Sequence, residues 1–120
     1  MTFETITEGK LPTDYVGKTP KAKKVLFIQQ FTTTTNYSKV DMSMDIELLK
    51  EVEQKAKELE CDEVWEALAT THPYSHNNNA DFDAFGFYEK QGYSHDRSNL
   101  IDWKPDAAIT IPCYLFRKKL

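Results

Sequence analysis

Residues Val25-Leu26-Phe27-Ile28 form an unbroken apolar run that continues through Gln29 and Gln30 to Phe31. A strand without polar alternation is one covered on both faces, the usual state of strands in a parallel pair. A long amphipathic segment follows, and after it comes a second apolar-rich run of Val64, Trp65, Ala67 and Leu68. Strand, helix and strand in this order imply a right-handed crossover that sets the two strands parallel. Strands over 25–31 and 64–70 are therefore expected at the centre of a sheet.

The connecting helix is expected over about 43–60. Met44, Leu48, Val52, Ala56 and Leu59 recur at helical spacing, and Ile46 and Leu49 widen the stripe. Glu51 with Lys55 and Glu53 with Lys57 are i,i+4 pairs in the favourable order, while Asp45 and Glu47 sit near the positive end of the helix dipole. A shorter helix is expected over about 81–91, with Phe82, Phe85 and Tyr88 at helical spacing and Gly92 at the C-cap. Two closing strands, about 99–103 and 109–117, are separated by Lys104-Pro105-Asp106 as a turn, with a bulge or an edge at Pro112. Residues 1–23 hold Gly9, Pro12, Gly17 and Pro20 and support one loose hairpin at most.

A chain of 120 residues with 40% hydrophobic and 28% charged residues describes one domain, residues 1–120, and 7 Phe, 6 Tyr and 2 Trp supply enough apolar surface for a core. A net charge of −4 provides no general field toward nucleic acid or anionic membrane, and neither partner is expected. The basic run Lys18, Lys21, Lys23 and Lys24 reads as a solvated flank. The N-terminus lacks a basic and apolar leader, and no apolar run approaches the ~20 residues of a membrane span, so a cytoplasmic location is expected. Cys61 and Cys113 read as reduced thiols, the latter inert in an apolar strand. His72 and His76 are separated by Pro73 and read as loop histidines, so no metal is expected.

The segment Ala84-Phe85-Gly86-Phe87-Tyr88-Glu89-Lys90-Gln91-Gly92-Tyr93 resembles the signature that closes the acetyl-CoA-binding core of the GNAT N-acetyltransferases. Ala84, Tyr88, Glu89, Lys90 and Gly92 match it, Tyr93 stands for its aromatic, and the order of elements over residues 24–120 agrees. A similar string occurs in glyoxalase-like proteins, where it lies early in a repeated module; here a long helix and a strand precede it. The resemblance implies an α/β or α+β fold: a mixed β-sheet with a central parallel strand pair flanked by helices, the GNAT-like C-terminal core. It implies acetyl-CoA as co-substrate and a small-molecule or peptide amine as acceptor.

In that family the two central strands splay apart, and their unpaired backbone groups bond the pantetheine arm like an added strand. By the match, Tyr88 would be the catalytic general acid for the departing thiolate. Phe31, Thr32, Thr33, Thr34, Lys39, Asp81, Ala84 and Tyr88 would bind the cofactor. The family's pyrophosphate loop is glycine-rich, whereas no glycine lies between Phe31 and Leu59, and Asp81 stands where the signature has Asn. That difference supports a second reading, a catalytically inactive binding or assembly module of the same fold. The chain also lacks the segments that form the family's N-terminal half, so one sheet face is expected to be apolar and covered by a homodimer partner.

Overall fold

Two parallel strands, β3 (Lys24–Gln30) and β4 (Glu63–Ala69), lie side by side, in register from Val25 opposite Glu63 to Ile28 opposite Glu66. The computed structural model to which they belong describes residues 2–7, 10–30, 42–70 and 84–120. The other elements are β1 (Thr2–Thr7), β2 (Tyr15–Val16), α1 (Met42–Glu58), α2 (Ala84–Lys90), β5 (Ser94–Asp106) and β6 (Ile109–Lys119). One sheet joins the strands in the order β1-β3-β4-β6-β5-β2, and every neighbouring pair except β3 and β4 is antiparallel.

Both helices pack on one face. Alternation along the strands sends Leu26, Ile28, Val64, Leu68 and Phe116 to that face, where they meet Leu49, Val52 and Ala56 of α1 and Phe87 and Tyr88 of α2. The opposite face carries Val25, Phe27, Trp65, Ile101, Cys113 and Leu115 and closes on Leu11, Tyr15 and Ala22. Tyr15 anchors this closure, its ring 4.9 Å from Phe27 and 6.4 Å from Trp103.

The expected helix-flanked GNAT-like α/β core is corrected by this arrangement. The protein is sheet-dominated, a curled mixed sheet with two helices among the described residues. The reason is strand length and curl. β5 and β6 run for 13 and 11 residues as one long hairpin, and the curling sheet closes its second face with residues 11–22 instead of with a helix. Val25, Phe27, Trp65 and Ile101 on that face are 0–2% exposed. Among the described residues, the face on which a homodimer was expected packs against residues 11–22 of the same chain.

The N-terminal segment forms no hairpin of its own. β1 pairs with β3 at one edge of the sheet, and β2 pairs with β5 at the other, through Tyr15 opposite Trp103 and Val16 opposite Asp102. Lys104-Pro105-Asp106 lies within β5 and is not the turn, which falls at 107–108, where the Ala108 amide donates to Asp106 Oδ1 at 2.7 Å. Pairing of β6 with β4 ends at Cys113, so the missing amide of Pro112 interrupts no bond to β4, and its carbonyl accepts from Thr70.

Two helix ends share one device. After α2, the Tyr93 amide donates to the Tyr88 carbonyl and that of Gly92 to Glu89, with Gly92 at φ +95°. After α1, Cys61 donates to Ala56 and Glu60 to Lys57, with Glu60 at φ 61°. Both are Schellman caps, and the second is made without glycine.

Candidate functional site

Pairing between β3 and β4 stops at Ile28 and Glu66, although each strand continues on its other side. β3 pairs with β1 as far as Gln30 opposite Thr2, and β4 pairs with β6 as far as Ala69 opposite Cys113. Among the described residues, the ladder between the two strands is thus not continued over Gln29–Gln30 and Ala67–Ala69. A parallel sheet opened in this way offers an edge to which an extended ligand can hydrogen-bond.

Glu66 is the last residue of β4 paired with β3, at the apex of the opening. The alternation that sends Val64 and Leu68 under the helices sends Glu66 there as well, and it is buried. The Tyr88 hydroxyl of α2 donates a hydrogen bond to Glu66 Oε2. Burial pushes the Glu66 carboxyl up from the ordinary 4.5 to about 8, and the Tyr88 bond offsets only part of that shift. At neutral pH the pair is therefore a carboxylic acid beside a phenol. Two groups that each carry a proton in a dry site can relay one to a third group placed against them.

Aromatic rings enclose the pair. Tyr88 stands edge-on to Phe87 and Tyr93 at 5.2 and 5.3 Å, and Phe116 lies 5.9 Å from it. Phe116 is directly opposite Glu66 on one side and His95 on the other, so Glu66, Phe116 and His95 form one row across three strands. The His95 ring stacks on Phe116 at 4.3 Å, and its buried Nε2 has no hydrogen-bond partner among the described residues.

On the opposite face Glu63 accepts from Trp65 Nε1 at 2.9 Å and from Arg117 Nε and Nη2 at 2.9 and 3.0 Å. All its partners are donors fixed by packing, so this carboxylate is a structural strut. Cys61 and Cys113 are both free and buried, and burial raises both thiols, that of Cys113 to about 11. Neither is an available nucleophile at neutral pH.

Of the sequence-derived candidates, Tyr88 lies at this centre, and Ala84 begins α2, the helix that carries it. Phe31, Thr32, Thr33, Thr34, Lys39 and Asp81 lie outside the described residues, as do His72 and His76. Among the described residues, no group of three or more His, Cys, Asp or Glu side chains is placed to hold a metal ion, and no helix is long and apolar enough to cross a membrane. Sequence reasoning missed Glu66. A signal was present: a carboxylate stands in the middle of Val64-Trp65-Glu66-Ala67-Leu68, a strand expected in the central parallel pair. A comparison of the chain with protein-family models, curated proteins and solved structures found no match to any of them.

Proposed function

We propose that the protein transfers an acetyl group from acetyl-CoA to an amine, with the co-substrate's extended arm lying in the opening between β3 and β4. The observation that carries this reading is the end of β3–β4 pairing at Ile28 and Glu66 among the described residues, with the Glu66–Tyr88 pair at that point. Unpaired backbone donors and acceptors along Gln29–Gln30 and Ala67–Ala69 suit an amide-bearing chain that runs beside them. Acetyl-CoA, when bound, supplies an activated acyl carbonyl.

The chain's own groups handle the proton. Tyr88 gives its hydroxyl proton to the departing sulfur and recovers one from the Glu66 carboxyl, and Glu66 is recharged by the proton lost from the amine. The balance closes, since one proton leaves the nucleophile and one reaches the leaving group. A carboxyl held near pH 8 keeps its proton under working conditions and still exchanges it readily.

Phosphate recognition would be weak. The stretch from Phe31 to Leu59 has no glycine, and Asp41, Asp45 and Glu47 bring negative charge near the start of α1. A second reading, a non-catalytic binding module, is favoured by the burial of Tyr88, which is 3% exposed and has its hydroxyl engaged by Glu66.

Calorimetric titration with acetyl-CoA, paired with an acetyl-transfer assay over a panel of amines, separates the two. Acetyl-transfer predicts weak but measurable heat, with Tyr88→Phe leaving binding nearly unchanged and cutting turnover by about 10²-fold or more. No heat at millimolar acetyl-CoA defeats the transferase reading. Binding without turnover on any amine supports the module.

A further inference from the structure

Two basic runs far apart in the sequence meet at one end of the sheet. Lys18, Lys21 and Lys23 precede β3, and Lys119 ends β6 beside Arg117. The topology brings them together. The Asp62 amide donates to the Lys24 carbonyl, Glu63 at the start of β4 lies opposite Lys119, and Ser94 at the start of β5 lies opposite Arg117. This is the end of the β3–β4 pair opposite the opening at Glu66.

Lys18, Lys21, Lys23 and Lys119 are exposed, and none makes an ion pair among the described residues. The nearby carboxylates are already engaged. Asp62 Oδ2 accepts the Lys23 and Lys24 amides at 3.0 and 3.2 Å, Glu63 holds Arg117, and Asp96 accepts the Ser98 amide and hydroxyl.

Two open pockets flank the Glu63–Arg117 pair. One of about 690 Å³ is lined by Lys21, Lys23, Asp62, Glu63 and Lys119. The other, of about 320 Å³, is lined by Lys18, Thr19, Ser94, Asn99 and Arg117. Glu63 and the stacking of the Arg117 guanidinium over Trp65, 5.8 Å from the ring centre, hold that guanidinium in place. A cation fixed before binding loses little entropy when it meets an anion.

We infer that this end of the sheet docks an acidic peptide segment of a partner protein, with carboxylate side chains seated in the two pockets. A surplus of unpaired cations concentrated at one end of a chain of net charge −4 is an electrostatic complement for a locally acidic partner. Nucleic acid fits less well. Among the described residues, the exposed large apolar side chain next to Lys119 is Leu120, which offers no aromatic platform for base stacking there. The net negative charge of the chain also repels a long polyanion beyond the patch.

The test is fluorescence anisotropy of the full chain with three labelled probes: a peptide of alternating Glu and Ser, its Lys–Ser counterpart, and a single-stranded oligonucleotide. The Glu–Ser peptide is expected to bind, to bind at least tenfold more weakly to the Lys21→Gln/Lys119→Gln double variant, and to weaken when salt shortens the Debye length from about 10 Å toward 3 Å. Lys50→Gln, an exposed change on α1, is expected to have no effect. Absence of Glu–Ser binding, equal affinity in the double variant, or tighter binding of the oligonucleotide or the Lys–Ser peptide overturns the inference. Acetyl-CoA titration of the same double variant is expected to match wild type, so this result stands apart from the acetyl-transfer reading.

Discussion

The hydroxyl of Tyr88 donates to the carboxyl of Glu66, a residue 22 positions earlier in the chain, and both residues are buried on the helix-covered face of the sheet. Removing one partner from such a bond leaves the other unsatisfied in a dry site, at a cost of about 1–3 kcal/mol. Tyr88→Phe is therefore expected to lower unfolding stability by that amount. Glu66→Gln keeps an acceptor for the phenol and should cost less. Denaturant titrations of the two variants check the order, and a larger loss in Glu66→Gln contradicts it.

The same carboxyl sets a pH dependence of stability. Its pKa stands near 8 when folded and at the ordinary 4.5 when unfolded, so between those values the folded state holds a proton that the unfolded state has lost. More protons on the native state mean that stability falls as pH rises through this window, by at most about 1.4 kcal/mol per pH unit. Glu66→Gln removes the titration. Its stability is expected to be flatter than wild type from about pH 5 to 8 by urea unfolding at fixed salt, and parallel profiles would refute the assignment.

Along α1, Leu49 is 1% exposed inside the helix-face core, whereas Leu48 is half-buried outside that cluster. The stripe read from spacing put Leu48 on the central line, but the crossing of α1 over the sheet turns Leu49 inward. Leu49→Ala is expected to cost about 2–4 kcal/mol through cavity formation, and Leu48→Ala well under half of that. Thermal melts of the two variants decide between these faces.

Glu60 occupies the left-handed cap position of α1 at φ 61°, where a side chain with a Cβ is strained by about 1 kcal/mol. Glu60→Gly relieves that strain and is expected to raise stability by up to about 1 kcal/mol. Gly92→Ala, at φ +95° in the matching cap of α2, is expected to do the reverse. Opposite signs for the two changes in unfolding free energy are the readout.

Gly17 lies so close to β5 that an added Cβ would sit 2.8 Å from Ile101 Cγ2 and 3.1 Å from its Cα. Ile101 is fully buried in the second face and cannot withdraw. Gly17→Ala is expected to cost about 1–3 kcal/mol and to loosen the pairing of β2 with β5. Hydrogen exchange at Tyr15 and Lys104, whose amides donate to Pro12 and Asp14, should quicken in step.

Local pattern by itself determined the elements whose information is short-range. The apolar run from Val25 to Ile28 and the helical spacing from Val52 to Leu59 specify their own strand and helix, and Gly92 marks the end of α2, because periodicity and caps act within a few residues. Tyr88, which donates to Glu66, was singled out through the string around it. What only the tertiary structure decided depends on contacts between distant positions. The length of β5 through Pro105, the curl that closes the second face on Tyr15, and the placement of β1 and β2 at opposite edges all follow from which strand finds which partner. Glu66 is the sharpest case. Its residue type is that of a solvated surface, and only the stacking of α2 on β4 buries it, raises its pKa and gives it Tyr88, because desolvation is a property of everything packed around a group and not of the residue itself.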